Sequence, residues 1–421
     1  MASKGSLDRV SKAVSQSRLW RRHGDMGKIG ATPRGGVNRL ALTVEDALAQ
    51  TLLLQWASAR GYGYWRDEIG NLFVRRDGTD AAADPVMTGS HLDSQPTGGK
   101  FDGAYGVLAG FEVLEALDDA GVRTSRPVEV VAWMNEEGSR FSPGAMGSAV
   151  FARSASVEAM QSTTDRAGVT VREALVETAQ RCPVAARRIA DIRPAAYVEA
   201  HIEQGPRLEN AKATIGVVLG IQGMRRFVVE IVGEEAHAGT TPRRQRKDAV
   251  SAAIAVISAL EDLTADAHDT LRFTVGCIDV HPNSPNTVAG KVTFTIDLRH
   301  PDEATITDVG DRIHATARAA AALRSCAAEV TNVSFVKPTT FASEVIDLIR
   351  VAARDEGYPH LELPSGAGHD AMHLSRICPT GMVFVPCLGG VSHNEAESAT
   401  PEDLASGTRV LARVILELAG G

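Results

Sequence analysis

The spacing of apolar residues predicts an alternation of helices and short buried strands. Residues 44–60 carry apolar positions at helical spacing behind a capping threonine, Thr43, and predict a helix. Continuous apolar runs near 86–90, 127–134, 197–202 and 382–385 predict strands buried on both faces. The polar residues 1–16 predict a poorly ordered start. This pattern is typical of the α/β fold class.

The periodicity changes after Gly220. Six elements follow in the order strand, helix, strand, strand, helix, strand, and they are predicted at 226–232, 248–263, 270–280, 291–298, 303–322 and 329–336. This is the order of a ferredoxin-like α+β unit. We therefore expect an inserted domain over 222–337, between a first part of the main domain at 1–221 and a second part at 338–421.

Composition narrows the classes of partner. The 421 residues carry a net charge of −8 without a basic patch, which argues against nucleic acid or an anionic membrane. No run of about 18 apolar residues and no apolar leader segment occurs, so we expect neither a membrane span nor an export signal. The five cysteines are scattered without a Cys-x-x-Cys pair, which favours the reducing cytoplasm. A small-molecule substrate is the remaining expectation.

Side chains that bind metals follow several of the predicted strands. Strand ends in open α/β sheets carry the chemistry, and Zn²⁺ accepts imidazole nitrogen and carboxylate oxygen as ligands. Glu136 and Glu137 are adjacent and point in different directions, so one can bind a metal while the other handles a proton. Taken singly, each residue is typical of a packed or surface side chain. Together they favour a metal site, and the set is His91, Asp102, Glu136, Glu137, His201 and His393.

Six segments, in order, carry a family resemblance. They read Gly-Ser-His-Leu-Asp-Ser-Gln-Pro-Thr-Gly-Gly-Lys-Phe-Asp-Gly at 89–103, Asn-Glu-Glu-Gly-Ser-Arg-Phe at 135–141, Ala-His-Ile-Glu-Gln-Gly-Pro at 200–206, Glu-Ala-His-Ala-Gly-Thr-Thr-Pro at 235–242, Ser-Gly-Ala-Gly-His-Asp-Ala at 365–371 and Ser-His-Asn-Glu at 392–395. From about residue 28 onward, the chain resembles the metal-dependent N-carbamoyl-L-amino acid amidohydrolases. This group includes β-ureidopropionase and allantoate amidohydrolase, within the aminoacylase and dinuclear zinc peptidase superfamily. The resemblance implies a mixed-sheet catalytic domain of the dinuclear zinc peptidase kind.

The resemblance also implies roles for individual residues. Asp102 would bridge two divalent ions, with His91, Glu137, His201 and His393 as the other ligands. Zn²⁺ suits this set best, and Mn²⁺, Co²⁺ or Ni²⁺ would accept the same donors. The remaining assignments are Glu136 as general base and acid, His237 as oxyanion donor, Asn286 and Arg299 as carboxylate ligands, Gln204, Gly368 and His369 as substrate-lining residues, and Asp93 as the carboxylate that accepts the spare N–H of His91.

We therefore predict a cytoplasmic dinuclear amidohydrolase that converts an N-carbamoyl-L-amino acid to the amino acid, ammonia and carbon dioxide. The alternatives are β-ureidopropionase, allantoate amidohydrolase, an aminoacylase or peptidase, and a binding protein without activity. Arg299 favours a small carboxylate substrate over a peptide. The family forms dimers through the inserted domain, so we expect a homodimer in which His237 or Asn286 reaches the partner's site. The basic run 243–247 departs from relatives and leaves the substrate charge preference open.

Overall fold

The computed structural model describes residues 2–421, which divide into two compact units. Unit 1 comprises the chain up to Gly220 together with Thr340–Gly421, and unit 2 comprises Ile221–Thr339. Unit 2 is therefore an insertion in the sequence of unit 1.

The described part of the chain forms the following elements. The strands are β1 Gly63–Arg66, β2 Leu72–Arg76, β3 Val86–His91, β4 Val128–Trp133, β5 Ala196–Ile202, β6 Ile215–Ile221, β7 Gly223–Val232, β8 Ala236–His237, β9 Arg272–His281, β10 Thr287–Val288, β11 Lys291–His300, β12 Ala327–Val336, β13 Thr339–Thr340, β14 His360–Ser365 and β15 Thr380–Val385. The α-helices are α1 Lys4–Ala13, α2 Gln16–Met26, α3 Val44–Arg60, α4 Ala104–Asp119, α5 Met146–Phe151, α6 Val157–Gln161, α7 Val171–Arg181, α8 Arg207–Ala211, α9 Ala249–Thr264, α10 Glu303–Ala322, α11 Ser343–Asp355, α12 Ala371–Leu374 and α13 Pro401–Ala419. Short 3₁₀ turns lie at Ile189–Asp191, Arg243–Gln245 and Leu388–Gly390.

Unit 1 is built on a mixed sheet. Its strand order is β1-β2-β4-β3-β5-β15-β6-β13, and β14 pairs with β6. The central strands β4, β3, β5 and β15 run parallel, whereas β2 and β6 join them antiparallel. Every residue of these four central strands is buried, which explains why they read as continuous apolar runs. The predicted α/β class with a mixed sheet is confirmed.

Helices cover the central strands. Helix α4 packs on β3, β4 and β5, α13 packs on α4 and β15, and α5 and α12 contact β4 and β5 respectively. The expectation of a poorly ordered start is wrong for most of residues 1–16. The Ser3 hydroxyl accepts the N–H of Ser6 and begins α1, and Val10 buries its side chain where α1 packs against α13 and α4. Tertiary packing therefore stabilises a segment whose composition is polar.

Unit 2 has the predicted ferredoxin-like order of elements. Its antiparallel sheet has the strand order β12-β7-β11-β9, and β8 pairs with β10 in a separate ribbon. Helices α9 and α10 pack against each other and on this sheet. Along β11, the buried side chains Val292, Phe294, Ile296 and Leu298 alternate with partly exposed ones. This alternation is what a sheet covered on one face requires.

Candidate metal centre

The parallel strands of unit 1 deliver the predicted ligands to one edge of the sheet. His91 is the last residue of β3 and pairs in register with Trp133, the last residue of β4. His201 lies near the end of β5 and pairs with Phe384 of β15. Because parallel strands end at the same edge, the segments that follow β4 and β15 also begin there. These segments carry Glu136, Glu137 and His393.

Asp102 lies at the centre of the cluster. Its Oδ1 is 3.3 Å from Nε2 of His201 and 3.8 Å from Nε2 of His91. Its Oδ2 is 3.4 Å from Nε2 of His393, which is itself 3.5 Å from Oε2 of Glu137. Each oxygen of one carboxylate thus faces a different group of nitrogen and oxygen donors. Two groups of three ligand-type side chains share this aspartate, with their donor atoms within 4.8 Å of one another in each group.

The two buried imidazoles direct their Nε2 atoms at Asp102. Nδ1 of His91 lies 2.9 Å from the main-chain oxygen of Asp93, and Nδ1 of His201 lies 2.9 Å from that of Ile202. A carbonyl only accepts, so each Nδ1 carries a hydrogen, and Nε2 is the ring atom that can bind a cation. Lone pairs that face a carboxylate at this range need a proton or a cation between them. The donor set therefore fits divalent cations.

Burial and like charges shift the pKa values in this cluster. Burial lowers the pKa of His91 to about 4. Burial opposes ionisation of Asp102, but its hydrogen bond with His201 and the nearby imidazoles outweigh that effect and lower its pKa. Burial and then the charge of Asp102 raise the pKa of Glu137 to about 9, and burial and neighbouring carboxylates raise the pKa of Glu136 well above its usual range. Bound cations would replace these protons.

Asp93 differs from its prediction in the atom that it uses. The His91 ring donates to the main-chain oxygen of Asp93, while the nearer carboxylate oxygen lies 3.7 Å from that nitrogen. The carboxylate instead accepts the main-chain N–H groups of Glu136 and Glu137, each at 3.2 Å. The turn after β3 brings the carbonyl closer than the side chain, which leaves the buried carboxylate free to hold the next turn. The prediction is therefore wrong in the atom only, because Asp93 accepts the His91 N–H with its main-chain oxygen and not with its carboxylate.

Several turns of the site contain residues with positive φ. Asn135, Gln204 and His393 have φ values of 54°, 56° and 52°, a region that residues other than glycine rarely adopt. Gly103 has a φ of 63°, and a Cβ on it would lie 2.3 Å from the His91 ring. Such strain persists only where surrounding contacts fix the chain, and it is typical of functional sites.

The larger unit also carries three residues predicted to line the substrate. Nε2 of Gln204 donates to Oδ2 of Asp102 at 3.0 Å. His369 is buried with its ring centroid 4.5 Å from that of His201, and its Nε2 is 2.9 Å from the Ser365 hydroxyl. Gly368 precedes it in an exposed loop. Gln204 and His369 thus lie beside the cluster.

His237 and Asn286 lie side by side in unit 2. His237 in β8 pairs with Thr287, and the carbonyl of Asn286 accepts the N–H of Ala238 at 2.9 Å. Nδ1 of the exposed His237 ring accepts main-chain N–H groups from Gly239 at 2.9 Å and from Thr240 at 3.1 Å. The hydrogen of this imidazole is therefore on Nε2, which is the tautomer that can donate outward.

Part of the basic run supports the turn that carries His237. Arg246 donates from Nη2 to the carbonyl of Ala238 at 2.7 Å and from Nε to that of Thr241 at 3.0 Å. Lys247 forms an ion pair with Glu234 at 2.9 Å. These two basic residues therefore have structural partners within unit 2.

Arg299 lies near the opposite end of β11 from this ribbon. Its Nε donates to Oδ1 of Asp297 at 2.7 Å, and Asp297 also pairs with Arg226 at 3.1 Å. In register, Arg299 pairs with Met224 near the start of β7. The ion pair holds the guanidinium at the end of the sheet, with about a third of its side chain exposed.

Three polar residues of the site were not predicted. Gln95 donates to both oxygens of Glu137, from Nε2 at 2.6 Å and from its main-chain N–H at 3.1 Å. Glu199 accepts from the Ser90 hydroxyl at 2.7 Å, and Glu397 accepts the main-chain N–H groups of Asp102 and its neighbour. Glu199 had a usable signal, because it is a carboxylate within an apolar strand. Glu199, His201 and His369 form a further group of ligand-type side chains beside the first two.

Comparisons with known proteins agree on one family. Residues 87–417 match the model of peptidase family M20/M25/M40. An N-carbamoyl-L-amino-acid amidohydrolase of Rhizobium meliloti is 38% identical over 409 residues, which cover 97% of this chain and 98% of that protein. An allantoate amidohydrolase of Escherichia coli (strain K12) is 34% identical over 411 residues, with 97% and 98% covered. The crystal structure of an amidase of the hydantoinase/carbamoylase family from Burkholderia multivorans superposes with a TM-score of 0.92 at 44% identity, with 97% and 98% covered. In residues 2–421, no helix has the length and apolar character needed to cross a membrane.

Proposed function

Because the chain belongs to the M20/M25/M40 peptidase family, as an amidohydrolase of the N-carbamoyl-L-amino-acid and allantoate group, we propose that it hydrolyses an N-carbamoyl-L-amino acid. The products are the amino acid, ammonia and carbon dioxide. The observation that carries the proposal is the environment of Asp102, whose two oxygens face different sets of donors. A carboxylate in that environment suits a bridge between two cations.

The proposed ligands are His91, Asp102, Glu137, His201 and His393. Enzymes of this family typically use divalent metal ions, and we propose zinc, with manganese, cobalt or nickel as substitutes. When bound, such a pair of ions polarises the substrate carbonyl and makes a water molecule more acidic.

Glu136 is the proposed general base and acid. Its Oε2 is 3.5 Å from Nε2 of the proposed ligand His91, so its carboxyl group lies beside the proposed metal centre. Glu136 would take a proton from the attacking water and deliver it to the departing nitrogen. The hydrogen bond from the main-chain N–H of Glu136 to the Asp93 carboxylate fixes the turn from which the Glu136 side chain extends.

Unit 2 would bind the rest of the substrate. Nε2–H of His237 would donate to the developing oxyanion, and Asn286 and Arg299 would hold the carboxylate. Gln204, Gly368 and His369 would line the substrate from unit 1.

The length of strand β11 in unit 2 supports a site that is shared between the two copies of a homodimer. His237 and Asn286 lie beside the Lys291 end of β11, and Arg299 is eight residues further along, roughly 27 Å at about 3.4 Å per residue. One small ureido acid cannot span that distance. We therefore propose that two copies assemble through the inserted domain and that His237 and Asn286 serve the partner's metal centre. A cytoplasmic location is part of the same proposal.

Allantoate is the second candidate substrate, because the allantoate amidohydrolase from Escherichia coli is 34% identical over nearly its full length. The test is ammonia release by zinc-loaded and manganese-loaded protein from N-carbamoyl-L- and D-α-amino acids, N-carbamoyl-β-alanine, allantoate and a dipeptide. We expect the L-α compounds to be preferred. A preference for allantoate or for N-carbamoyl-β-alanine would select that alternative instead, and cleavage of the dipeptide alone would indicate a peptidase. Absence of turnover with every compound would refute the proposal.

A further inference from the structure

Glu397 lies behind the loop that carries Asp102. Its side chain is buried, and Oε1 accepts the main-chain N–H of Phe101 at 2.9 Å and that of Asp102 at 3.0 Å. The two segments are 295 residues apart in the chain. One buried side chain that accepts two main-chain N–H groups fixes the path of the loop, because leaving those groups unpaired would be costly.

The second oxygen of Glu397 connects this loop to the one that carries His393. The Ser392 hydroxyl donates to Oε2 of Glu397 at 2.9 Å and also lies 3.3 Å from Oδ2 of Asp102. Ser392 immediately precedes His393. The Glu397 carboxyl group also packs closely against Gly99, where an added Cβ would lie 2.0 Å from it. The glutamate thus contacts both ligand-bearing loops at once.

The contacts of Glu397 distinguish it from a ligand. Both of its oxygens accept hydrogens from protein groups, and the N–H groups belong to the main chain behind Asp102. Asp93 stands in the same relation to the other turn, since its carboxylate accepts the N–H groups of Glu136 and Glu137. Each acidic ligand therefore has its main chain held by a buried carboxylate from a different segment.

From this arrangement we infer that Glu397 is a positioning residue that orients Asp102 between the two groups of donors. The inference rests on the proposed function, since it takes Asp102 as a metal ligand. The hydrogen bonds, and not the negative charge, carry the effect. Outer partners of metal ligands typically change metal affinity by about 10–100-fold when they are lost.

Two small substitutions separate contact from charge. Glu397→Gln removes the charge but keeps an oxygen that can accept both N–H groups, and the Ser392 hydroxyl can turn to accept from the new amide. Glu397→Asp keeps the charge but shortens the side chain by one methylene, which withdraws the oxygens from Phe101 and Asp102. The matched control is Glu112→Asp in α4. Glu112 is a fully buried glutamate that accepts the main-chain N–H of Ser15 at 2.7 Å, and it is not one of the proposed ligands.

The measurement is the affinity of the metal-free full-length chain for zinc, in competition with a chromogenic chelator, with thermal melting recorded on the same samples. We expect Glu397→Asp to weaken zinc binding by about 10–100-fold. Glu397→Gln should stay within a few-fold of the unsubstituted chain. Glu112→Asp should lower the melting temperature without changing zinc affinity.

The outcomes separate this inference from the proposed function. If Glu397→Asp binds zinc as the unsubstituted chain does, or if Glu397→Gln is the weaker variant, the positioning role is overturned. If the unsubstituted chain binds no zinc, the proposed function and the inference fail together. If zinc binding follows the expected order but no ureido compound is hydrolysed, only the proposed substrate is wrong.

Discussion

Gly103 offers a direct test of the geometry of the proposed ligands. Its φ is 63°, and a Cβ on it would lie 2.3 Å from Cε1 of His91 and 2.4 Å from both ring nitrogens. Carbon atoms prefer separations of about 3.5–4.0 Å, so the methyl group of Gly103→Ala would overlap the ring by about 1.2 Å. The imidazole must move by roughly that distance, because α4 begins at the next residue and holds the chain.

Metal centres do not tolerate such a displacement. Ligand distances are kept within about 0.2 Å, so His91 would no longer reach the ion that it is proposed to share with His201. We expect Gly103→Ala to weaken zinc binding by more than the about 10–100-fold that follows loss of an outer hydrogen-bond partner. Activity should fall with the zinc content.

Gly121 provides a matched control. Its φ is also 63°, but no atom lies within 4 Å of the Cβ that alanine would add. Both substitutions place a Cβ on a residue with positive φ, so both should lower the melting temperature. Competition with a chelator should detect weaker zinc binding only in Gly103→Ala. Equal zinc affinity in the two variants would refute the placement of His91 among the ligands.

Three further predictions test the base, the protonation of the cluster and the turn in unit 2. Glu136→Gln should retain zinc and reduce turnover by about 10²–10⁴-fold, the range for loss of a general base. Loss of zinc with a normal rate per bound ion would contradict that role. Burial and the charge of Asp102 raise the pKa of Glu137 to about 9 in the metal-free chain. Above the usual carboxyl pKa, the folded state therefore binds more protons than the unfolded state, and the free energy of unfolding should fall as pH rises toward 9. Melting curves with EDTA should show this slope, Glu137→Gln should reduce it, and an unchanged slope would be evidence against the shift. Arg246→Gln should lower kcat more than it raises KM, because the Arg246 guanidinium holds the turn that carries His237. In a double-mutant cycle, the same substitution should have no added effect in a His237→Asn background.

Much of the candidate centre was predictable from the chain alone, for a physical reason. Buried parallel strands have no solvent-facing side, so they appear as short apolar runs, and polar residues directly after them mark the edge of the sheet. His91 and the pair Glu136 and Glu137 were identified in this way. The order of elements in unit 2 was readable as well, because side-chain alternation depends only on local backbone geometry.

Contacts that depend on the path of a turn or on tertiary packing were not readable. The sequence suggested that the Asp93 side chain would contact His91, but the path of the turn gives that contact to the main-chain oxygen. Nothing in the segment around Glu397 indicates that it accepts the N–H of Asp102. The first helix was missed because its stability comes from packing against α13, and not from its own composition.

The sequence by itself determined which buried strands form, which side chains end them, and which chemistry those side chains permit. Tertiary structure decided which atoms meet: which oxygen of Asp102 faces which imidazole, which carboxylate holds which turn, and how far Arg299 lies from His237. The division has a physical origin. Periodicity and capping act over a few residues, whereas a hydrogen bond between segments 295 residues apart exists only once the sheet has brought their loops to one edge.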